Sequence, residues 1–255
     1  PGAGSHSGLA QTAPTVFSAQ ALLAPDVPPY SRAPMITIQT EQHNAEALCA
    51  LQAAHPRLVP IVRAAGPLPL RRRADGFAGI AAIIVSQQLS RASADAIHSR
   101  LTSAVNPLTP AAIASTPDAE LQGAGLSRPK IRALRAVASA FEGGALDTEA
   151  LRHMDDTDVS EVLCQVKGIG PWTADIYLLS CLGRADIFPA RDLALQEAAR
   201  IGLDLPARPS PDELMVEAEN WRPWRTVAAI LLWAYYRHIR REATGTDRQQ
   251  GGVGN

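Results

Sequence analysis

The stretch VKGIGPWTAD, residues 166–175, places two glycines, a proline and a tryptophan between two segments that have the pattern of helices. The preceding residues, DTDVSEVLCQ (156–165), predict one helix. PWTADIYLLSCL (171–182) predicts a second, with proline at its first position. A turn this short requires a positive φ angle, which glycine adopts without a Cβ clash. The sequence therefore predicts a pair of helices joined by a tight hairpin.

The hairpin turn is a candidate anion site, because the second helix would direct its N-terminal amides out of it. The turn consists of Lys167, Gly168, Ile169 and Gly170. A DNA phosphate oxygen would suit such a site, and contacts of this kind hold the DNA backbone without reading its sequence. The alternative is an ordinary helical hairpin, in which the glycines cap helices and Ile169 fills the core. For a glycine pair considered alone, that plainer interpretation is favoured.

Apolar residues recur at helical spacing through most of the sequence after residue 40. Residues typical of helix starts agree with this periodicity. They are Thr109 with Pro110, Ser127, and the capping-box sequence Ser210-Pro211-Asp212-Glu213. We therefore predict an all-α protein of about ten helices, preceded by a β-prone segment at 35–40. Residues 1–34, rich in Ala, Pro, Ser and Gly, are predicted to form an N-terminal extension, and residues 243–255 a flexible tail.

The composition predicts a globular protein that does not contact membranes. Hydrophobic residues make up 46% of the 255 residues and charged residues 19%, and no apolar run is long enough to cross a bilayer. Cys49, Cys164 and Cys181 have no CxxC spacing, which argues against a disulfide framework and a four-cysteine metal site. A reducing cytoplasm is the expected location.

The formal net charge of −1 argues against a DNA-binding protein with a strongly basic surface. The positive charges are nevertheless clustered along the chain. The clusters are Arg71, Arg72 and Arg73; Arg128, Lys130, Arg132 and Arg135; and Arg222, Arg225, Arg237, Arg240 and Arg241. The plainer interpretation is that they form solvated helix faces.

The segment LCQVKGIGPWTADIYLLSCLGRADIFPARDLALQ (163–196) resembles the hairpin and aspartate region of the helix-hairpin-helix DNA glycosylases, specifically the 3-methyladenine DNA glycosylase II (AlkA-type) branch. Three further segments match that family in the same order. They are IAAIIVSQQLSRASADAIHSRL (80–101), GLSRPKIRALRAVA (125–138) and WRPWRTVAAILLW (221–233). The resemblance covers roughly residues 40–240, and the extra N-terminal β domain of the long bacterial members is expected to be absent.

The resemblance implies a fold of two helical subdomains with a DNA-binding and active-site cleft between them. Residues 35–70 together with 185–242 would form one subdomain, and residues 71–184, which contain the hairpin, the other. It also implies a monofunctional hydrolase of base excision repair that flips a damaged base out of double-stranded DNA and leaves an abasic site. The expected substrates are 3-methyladenine, other methylated purines, 1-methyladenine, 3-methylcytosine and ethenoadenine. A monomer at the bacterial nucleoid, requiring no cofactor, is expected.

Asp192 matches the catalytic aspartate of the family. It lies at the start of the predicted helix LALQEAARIG, where the helix dipole favours a carboxylate. Cleavage of an N-glycosidic bond builds positive charge on the sugar, which a fixed anion stabilises. An aspartate at a helix start, considered alone, is more often a simple cap.

Trp172 and Trp233 are the predicted pocket aromatics, because an aromatic face binds a cationic base such as 3-methyladenine. Packing in the core is the alternative for both. Relatives that also cleave the strand carry a lysine nucleophile at the position of Trp172. The chain's only lysines are Lys130 and Lys167, so no lyase activity is expected.

The sequence SQQLS (86–90) matches the segment from which the family inserts a wedge into the space left by the flipped base. Gln88, with Leu89 behind it, is the predicted wedge, and the alternative is that the glutamines end a helix. The resemblance also implies that a Na⁺ or K⁺ ion is held by hairpin carbonyls. Those carbonyls belong to Cys164, Val166 and Ile169.

Two other functions stay open at this stage. One is a glycosylase for another lesion such as uracil, and the other is a non-catalytic protein that binds DNA structures through the hairpin. No cysteine follows residue 192, which disfavours the iron–sulfur branches of the family, namely the endonuclease III and adenine-mismatch enzymes.

Ile176 lies one helical turn after Trp172, where the AlkA-type pattern usually has a tyrosine. The isoleucine lacks a stacking face and a hydroxyl, so we predict a wider pocket that accepts a different or broader set of lesions. Ile176→Tyr should therefore narrow the range of bases released from alkylated DNA, as measured by chromatography of the free bases. An unchanged lesion profile would contradict this hypothesis.

Overall fold

The computed structural model describes residues 35–245, and these residues are helical apart from loops and one isolated β-bridge between Thr37 and Arg184. The all-α prediction is confirmed. The helices are α1 (Glu41–Ala54), α2 (Val59–Ala65), α3 (Gly76–Ser86), α4 (Arg91–Ala104), α5 (Pro110–Ser115), α6 (Asp118–Gly123), α7 (Arg128–Glu142), α8 (Thr148–His153), α9 (Asp156–Cys164), α10 (Pro171–Tyr177), α11 (Leu193–Gly202), α12 (Pro211–Glu219) and α13 (Arg225–Thr244). The predicted extension at 1–34 and residues 246–255 of the predicted tail lie outside the described residues.

The described residues form more helices than the ten or so predicted. The difference comes from short helices such as α5, α6 and α8, each six residues long. A helix of six residues spans fewer than two turns, so its apolar residues do not display a helical period. A π-helical segment, Leu178–Leu182, also extends α10.

The predicted helix starts are confirmed, with one difference at Ser127. The Thr109 hydroxyl accepts the Ala112 amide at the start of α5. Ser210 and Glu213 form a reciprocal capping box at α12. Ser127 occupies the N-cap position of α7, but its side chain makes no capping hydrogen bond.

Helix packing divides the contacts into two groups. The longest helix, α13, packs against α1, α2 and α11, whereas α3 packs against α4, α7 and α10. In the second group α5 also contacts α7, and α9 contacts α10. The described residues nevertheless belong to one compact unit, so the proposed subdomain boundaries at residues 70 and 184 stay a prediction. None of the described helices is long and apolar enough to span a membrane.

The segment at 183–190, which follows the π-helical extension of α10, is irregular yet almost fully buried. Arg184, 3% exposed, donates to the carbonyls of Arg152 and Met154 and pairs with Asp156. The hydroxyl of Thr226, on α13, bonds to the carbonyl of Arg184. Since buried backbone polar groups need partners, the Thr226 bond and the bridge to Thr37 allow the chain to cross the core outside a regular helix or sheet.

The hairpin between α9 and α10 forms as predicted. Gly168 has a φ angle of +96°, and a Cβ added there would lie 2.5 Å from the Cβ of Ala133 on α7. Glycine is therefore required both for the backbone conformation and for the close approach of α7. The side chain of Ile169 is 6% exposed and packs in the core, as the plainer interpretation of the turn anticipated.

Asp175, on α10, is a largely buried acid near Arg191 and Arg225. Burial raises the pKa of its carboxyl to about 7, although both arginines act in the opposite direction. The folded chain therefore holds this proton more tightly than the unfolded chain, whose aspartates have a pKa of about 4. As the pH rises from about 4 to about 7, the carboxyl lowers the free energy of unfolding, and above that window the loss is complete.

Substitution of the two hairpin glycines should give different results. Gly168→Ala should lower the free energy of unfolding by about 1–3 kcal/mol, because it adds backbone strain and a clash with α7. Gly170→Ala is the matched control, since Gly170 has a φ angle of −109° and no atom within 4 Å of an added Cβ. Urea unfolding of both variants tests this, and equal losses would contradict the role assigned to Gly168.

Asp175→Asn should stabilise the protein at pH 8 by an amount on the order of a few kcal/mol, because it removes a buried charge. The gain should shrink as the pH is lowered toward 4, where the folded protein already holds the aspartate protonated. Urea unfolding across this pH range measures it. Asp158→Asn, at an exposed position on α9, is the control and should show no such pH-dependent gain. A gain for Asp175→Asn that does not change with pH would refute the assignment.

Candidate active site

A cavity of about 500 Å³ opens between α3, α4, α10 and α13. Its walls include five of the residues predicted from the sequence. They are Leu89, Trp172, Ile176, Asp192 and Trp233. Residues that are up to 144 positions apart in the chain, such as Leu89 and Trp233, therefore meet at one place. Gln88, the other half of the predicted wedge, is exposed and does not line the cavity.

Asp192 is fixed by three hydrogen bonds from two directions. Its Oδ1 accepts the backbone amides of Ala194 and Leu195 at 2.9 and 3.2 Å, which makes it the N-cap of α11. Its Oδ2 accepts the indole N–H of Trp172 at 2.9 Å. Hydrogen bonds to a charged group contribute about 1.5–3 kcal/mol each. The same carboxylate therefore caps α11 and forms part of the cavity wall. From the sequence alone, a capping role and an active-site role were alternatives.

The loop that carries Asp192 is itself held by packing and hydrogen bonds. The Asp192 amide donates to the carbonyl of Pro189 at 2.9 Å, and the Gln196 side chain donates to the carbonyl of Ala190 at 2.9 Å. Phe188 packs against the ring of Trp221, with ring centroids 5.4 Å apart. These contacts restrict the backbone on both sides of the carboxylate.

The two predicted pocket tryptophans have different surroundings. Trp172 is partly buried, and its N–H is engaged by Asp192. The ring of Trp233 has the guanidinium carbon of Arg71 5.5 Å from its centroid. A protein cation therefore already occupies a position over one face of this ring, the kind of position predicted for a cationic base. Ile176 is 9% exposed and forms part of the cavity wall beside these rings.

The interpretation of the basic clusters as solvated faces is wrong for several of their members. Arg71 and Arg237 line the cavity, and burial together with repulsion between arginines lowers the pKa of both, that of Arg71 to about 10. No sequence signal indicates this position, because cavity-lining and surface arginines have the same local pattern. Tyr236, which also lines the cavity, was missed for the same reason.

Other members of the clusters stabilise the fold. Lys130 donates to the carbonyl of Val85 at 2.6 Å, at the C-terminal end of α3. Arg135 donates to three carbonyls around the end of α5, and Arg225 pairs with Asp186 and Glu219. Arg128, Arg132, Arg240 and Arg241 are exposed, in agreement with the solvated interpretation.

The turn at 86–90 connects α3 to α4 beside the cavity. Gln87 donates from Nε2 to the Thr173 hydroxyl of α10 at 2.9 Å, so this glutamine anchors the turn. Gln88 has a φ angle of +57°, which is uncommon for a residue other than glycine. Leu89 is 39% exposed and lines the cavity. The wedge stays a prediction, and Leu89 has the better position for it.

The hairpin amides are only partly available for an anion. The Ile169 amide donates to the Val166 carbonyl at 3.0 Å, so it is already engaged inside the turn. Among the described residues, no hydrogen bond engages the amides of Gly168 and Gly170. Lys167 is exposed beside them. The residues that remain available for the predicted phosphate contacts are therefore Lys167, Gly168 and Gly170.

The cation expected at the hairpin would be held by the carbonyls of Cys164, Val166 and Ile169. Neutral backbone oxygens are ligands that suit Na⁺ or K⁺. The Val166 carbonyl already accepts one hydrogen bond, which leaves it a second lone pair. The residues present fit such an ion, and its binding stays a prediction.

Comparison with known proteins agrees with this arrangement. Residues 81–225 match the HhH-GPD superfamily base excision DNA repair protein family. The chain is 31% identical over 190 residues to the DNA-3-methyladenine glycosylase 1 of Schizosaccharomyces pombe, covering 73% of this chain and 83% of that protein.

Solved structures that resemble this fold include two 3-methyladenine DNA glycosylases. The S. pombe 3-methyladenine DNA glycosylase in complex with abasic DNA has a TM-score of 0.69 at 29% identity, covering 74% of this chain and 95% of the other. A DNA-3-methyladenine glycosidase from Bacillus halodurans has a TM-score of 0.66 at 31% identity, covering 77% and 91%.

Proposed function

Because the chain belongs to the HhH-GPD superfamily of base excision DNA repair proteins, we propose that it is a monofunctional DNA glycosylase that releases alkylated bases from double-stranded DNA. The observation that carries the proposal is the carboxylate of Asp192. It is held at three points in the wall of a cavity with aromatic sides. A site of that volume lies within the range of small-molecule pockets and can receive a flipped base.

Asp192 would act on the sugar of the flipped nucleotide. As the bond from C1′ to the base nitrogen breaks, positive charge develops on the sugar, and a carboxylate held in place lowers the free energy of that state. A water molecule then adds to C1′ and passes its proton to the carboxylate of Asp192, which releases it to solvent. The Trp172 N–H and the two α11 amides hold the carboxylate in one orientation, so little reorganisation is needed during the reaction.

The DNA would be held mainly through its backbone. The amides of Gly168 and Gly170 and the side chain of Lys167 suit a phosphate at the hairpin, with a monovalent cation on the neighbouring carbonyls as a further element of the proposal. Leu89 would fill part of the space that the flipped base leaves in the stack. We also propose that the protein acts as a monomer at the nucleoid.

The proposed product is an abasic site in an unbroken strand. Lyase chemistry requires an amine that attacks C1′. Trp172 occupies the position of the lyase lysine, and Lys130 is bound to the carbonyl of Val85. Lys167 lies in the exposed turn and does not line the cavity.

Asp192→Asn is the central test of the proposal. Asparagine is as good an N-cap as aspartate, so α11 should be retained while the negative charge is lost. Release of 3-methyladenine from methylated duplex DNA should fall by about 100-fold or more. With the wild type, strand breaks should appear only after alkali treatment of the product.

Asp158→Asn, exposed on α9, is the matched control and should release bases at the wild-type rate. If the wild type binds methylated duplex DNA but releases no base, the enzymatic proposal fails and the hairpin is a binding element only. If Asp192→Asn retains full activity, the carboxylate does not have the assigned role.

A further inference from the structure

Three arginines from separate parts of the chain, called here the arginine rim, meet around the opening of the cavity. They are Arg73, in the loop before α3, Arg91, the first residue of α4, and Arg237, on α13. Arg73 and Arg91 are exposed and Arg237 is half-buried, so these side chains border both the cavity and the solvent. Whatever enters the cavity must pass them.

The charges of the arginine rim are poorly compensated. Among the residues that the structure describes, no ion pair or hydrogen bond engages the guanidinium of Arg73 or Arg237. Arg91 lies 3.7 Å from the carboxylate of Asp95, but the two side chains are 79% and 71% exposed, and such a pair contributes little. The whole chain has a formal net charge of −1, so this excess of positive charge is a local feature.

The arginines at the opening also repel one another. Burial lowers the pKa of Arg237, and repulsion from Arg91 and Arg241 adds to the effect. Arg241 lies one turn further along α13, and like charges at this spacing destabilise a helix. An anion bound among these cations would relieve the repulsion and gain free energy from all of them. The opening is therefore a candidate anion site.

A flipped nucleotide would bring two anions to this opening. Each sugar in a DNA strand has a phosphate on both sides. For C1′ to reach Asp192 the sugar must lie at the cavity, and its two phosphates must then lie close to the opening. In an undamaged duplex the same phosphates stay in the regular backbone, so they reach the opening only after the nucleotide has turned out.

We propose that the arginine rim binds the phosphates on either side of the flipped nucleotide and thereby positions C1′ against Asp192. The inference rests on the proposed glycosylase function and deepens it. It divides the binding of DNA between two places, because Lys167 and the hairpin amides can also hold an undamaged backbone. A contact made only after flipping stabilises the reactive complex rather than every complex with DNA.

The first test measures binding to two duplexes that differ at one nucleotide. One is undamaged, and the other contains tetrahydrofuran, a stable abasic analogue whose backbone can turn out without a base. The double variant Arg91→Met, Arg237→Met should bind the tetrahydrofuran duplex about tenfold or more weakly at low salt, because it loses two cations that contact phosphate. The slope of log affinity against log salt should become shallower by about 2. Binding to the undamaged duplex should change by less than about twofold, since the rim does not contact it.

Two comparisons show whether the charge of the rim is responsible. Arg91→Lys with Arg237→Lys retains both charges and should restore most of the affinity. Arg208→Met, at an exposed arginine outside the cavity, is the matched control and should change neither the affinity nor the salt slope. Equal losses on both duplexes would make the rim a general DNA contact and would overturn the inference.

The second test pairs each variant with a change in the DNA. A neutral methylphosphonate replaces the phosphate on one side of the tetrahydrofuran or on the other. At least one replacement should weaken binding by the wild type and have little further effect on the double variant, because the partner of that phosphate is already missing. Loss of fold cannot produce this coupling. If the double variant does not fold, Arg91→Met alone, at an exposed position, supplies the same comparison. Additive losses at both phosphates would overturn the inference.

The binding tests do not require base release, so they separate this inference from the proposal on which it rests. Release of 3-methyladenine by the wild type together with additive losses would overturn the rim and leave the glycosylase intact. Coupling without release of any base would support the rim as a site for an extrahelical nucleotide and overturn the glycosylase. Neither coupling nor release would overturn both.

Discussion

The hydrogen bond from the Trp172 indole to the carboxylate of Asp192 is the interaction on which the site depends. It joins α10, which leaves the hairpin, to the first turn of α11. The elements around it bring the two partners to this distance. The hairpin turn fixes the start of α10, and the buried segment between α10 and α11 fixes the loop that ends at Asp192. A carboxylate bonded from both sides has one orientation toward the cavity.

The buried segment between these helices depends on polar contacts more than on regular structure. The hydroxyl of Thr226 bonds to the carbonyl of Arg184 and accepts the amide of Ile187. Arg184 in turn reaches carbonyls at the end of α8 and beyond. Networks of this kind are stabilising only when each member has its partner. They restrict a loop as firmly as a helix would, which explains how an irregular segment can hold Asp192 in one position.

Local features of the sequence were sufficient to predict the hairpin, the helix starts and the capping position of Asp192, whereas its place at the active site was predicted from the resemblance to the DNA glycosylases. Gly168, Pro171 and Asp192 each obey conformational rules that depend on a few neighbouring residues. The place of Arg71 could not be predicted in that way. Its environment is created by Trp233 and Arg237, which are distant in the chain, and a run of three arginines is equally typical of a surface. The short helices were not predicted for a different reason, since the apolar residues of a six-residue helix do not display a helical period.

The hydrogen bond between Gln87 and Thr173 affects the entropy cost of binding DNA. Thr173 is the residue next to Trp172, so the exposed turn, the hairpin helix and the acid form one continuous chain of contacts. The entropy of arranging these parts is lost when the protein folds and not when it meets DNA. The duplex must therefore deform to fit a site that is already arranged. A base pair that damage has already weakened requires the least free energy to open.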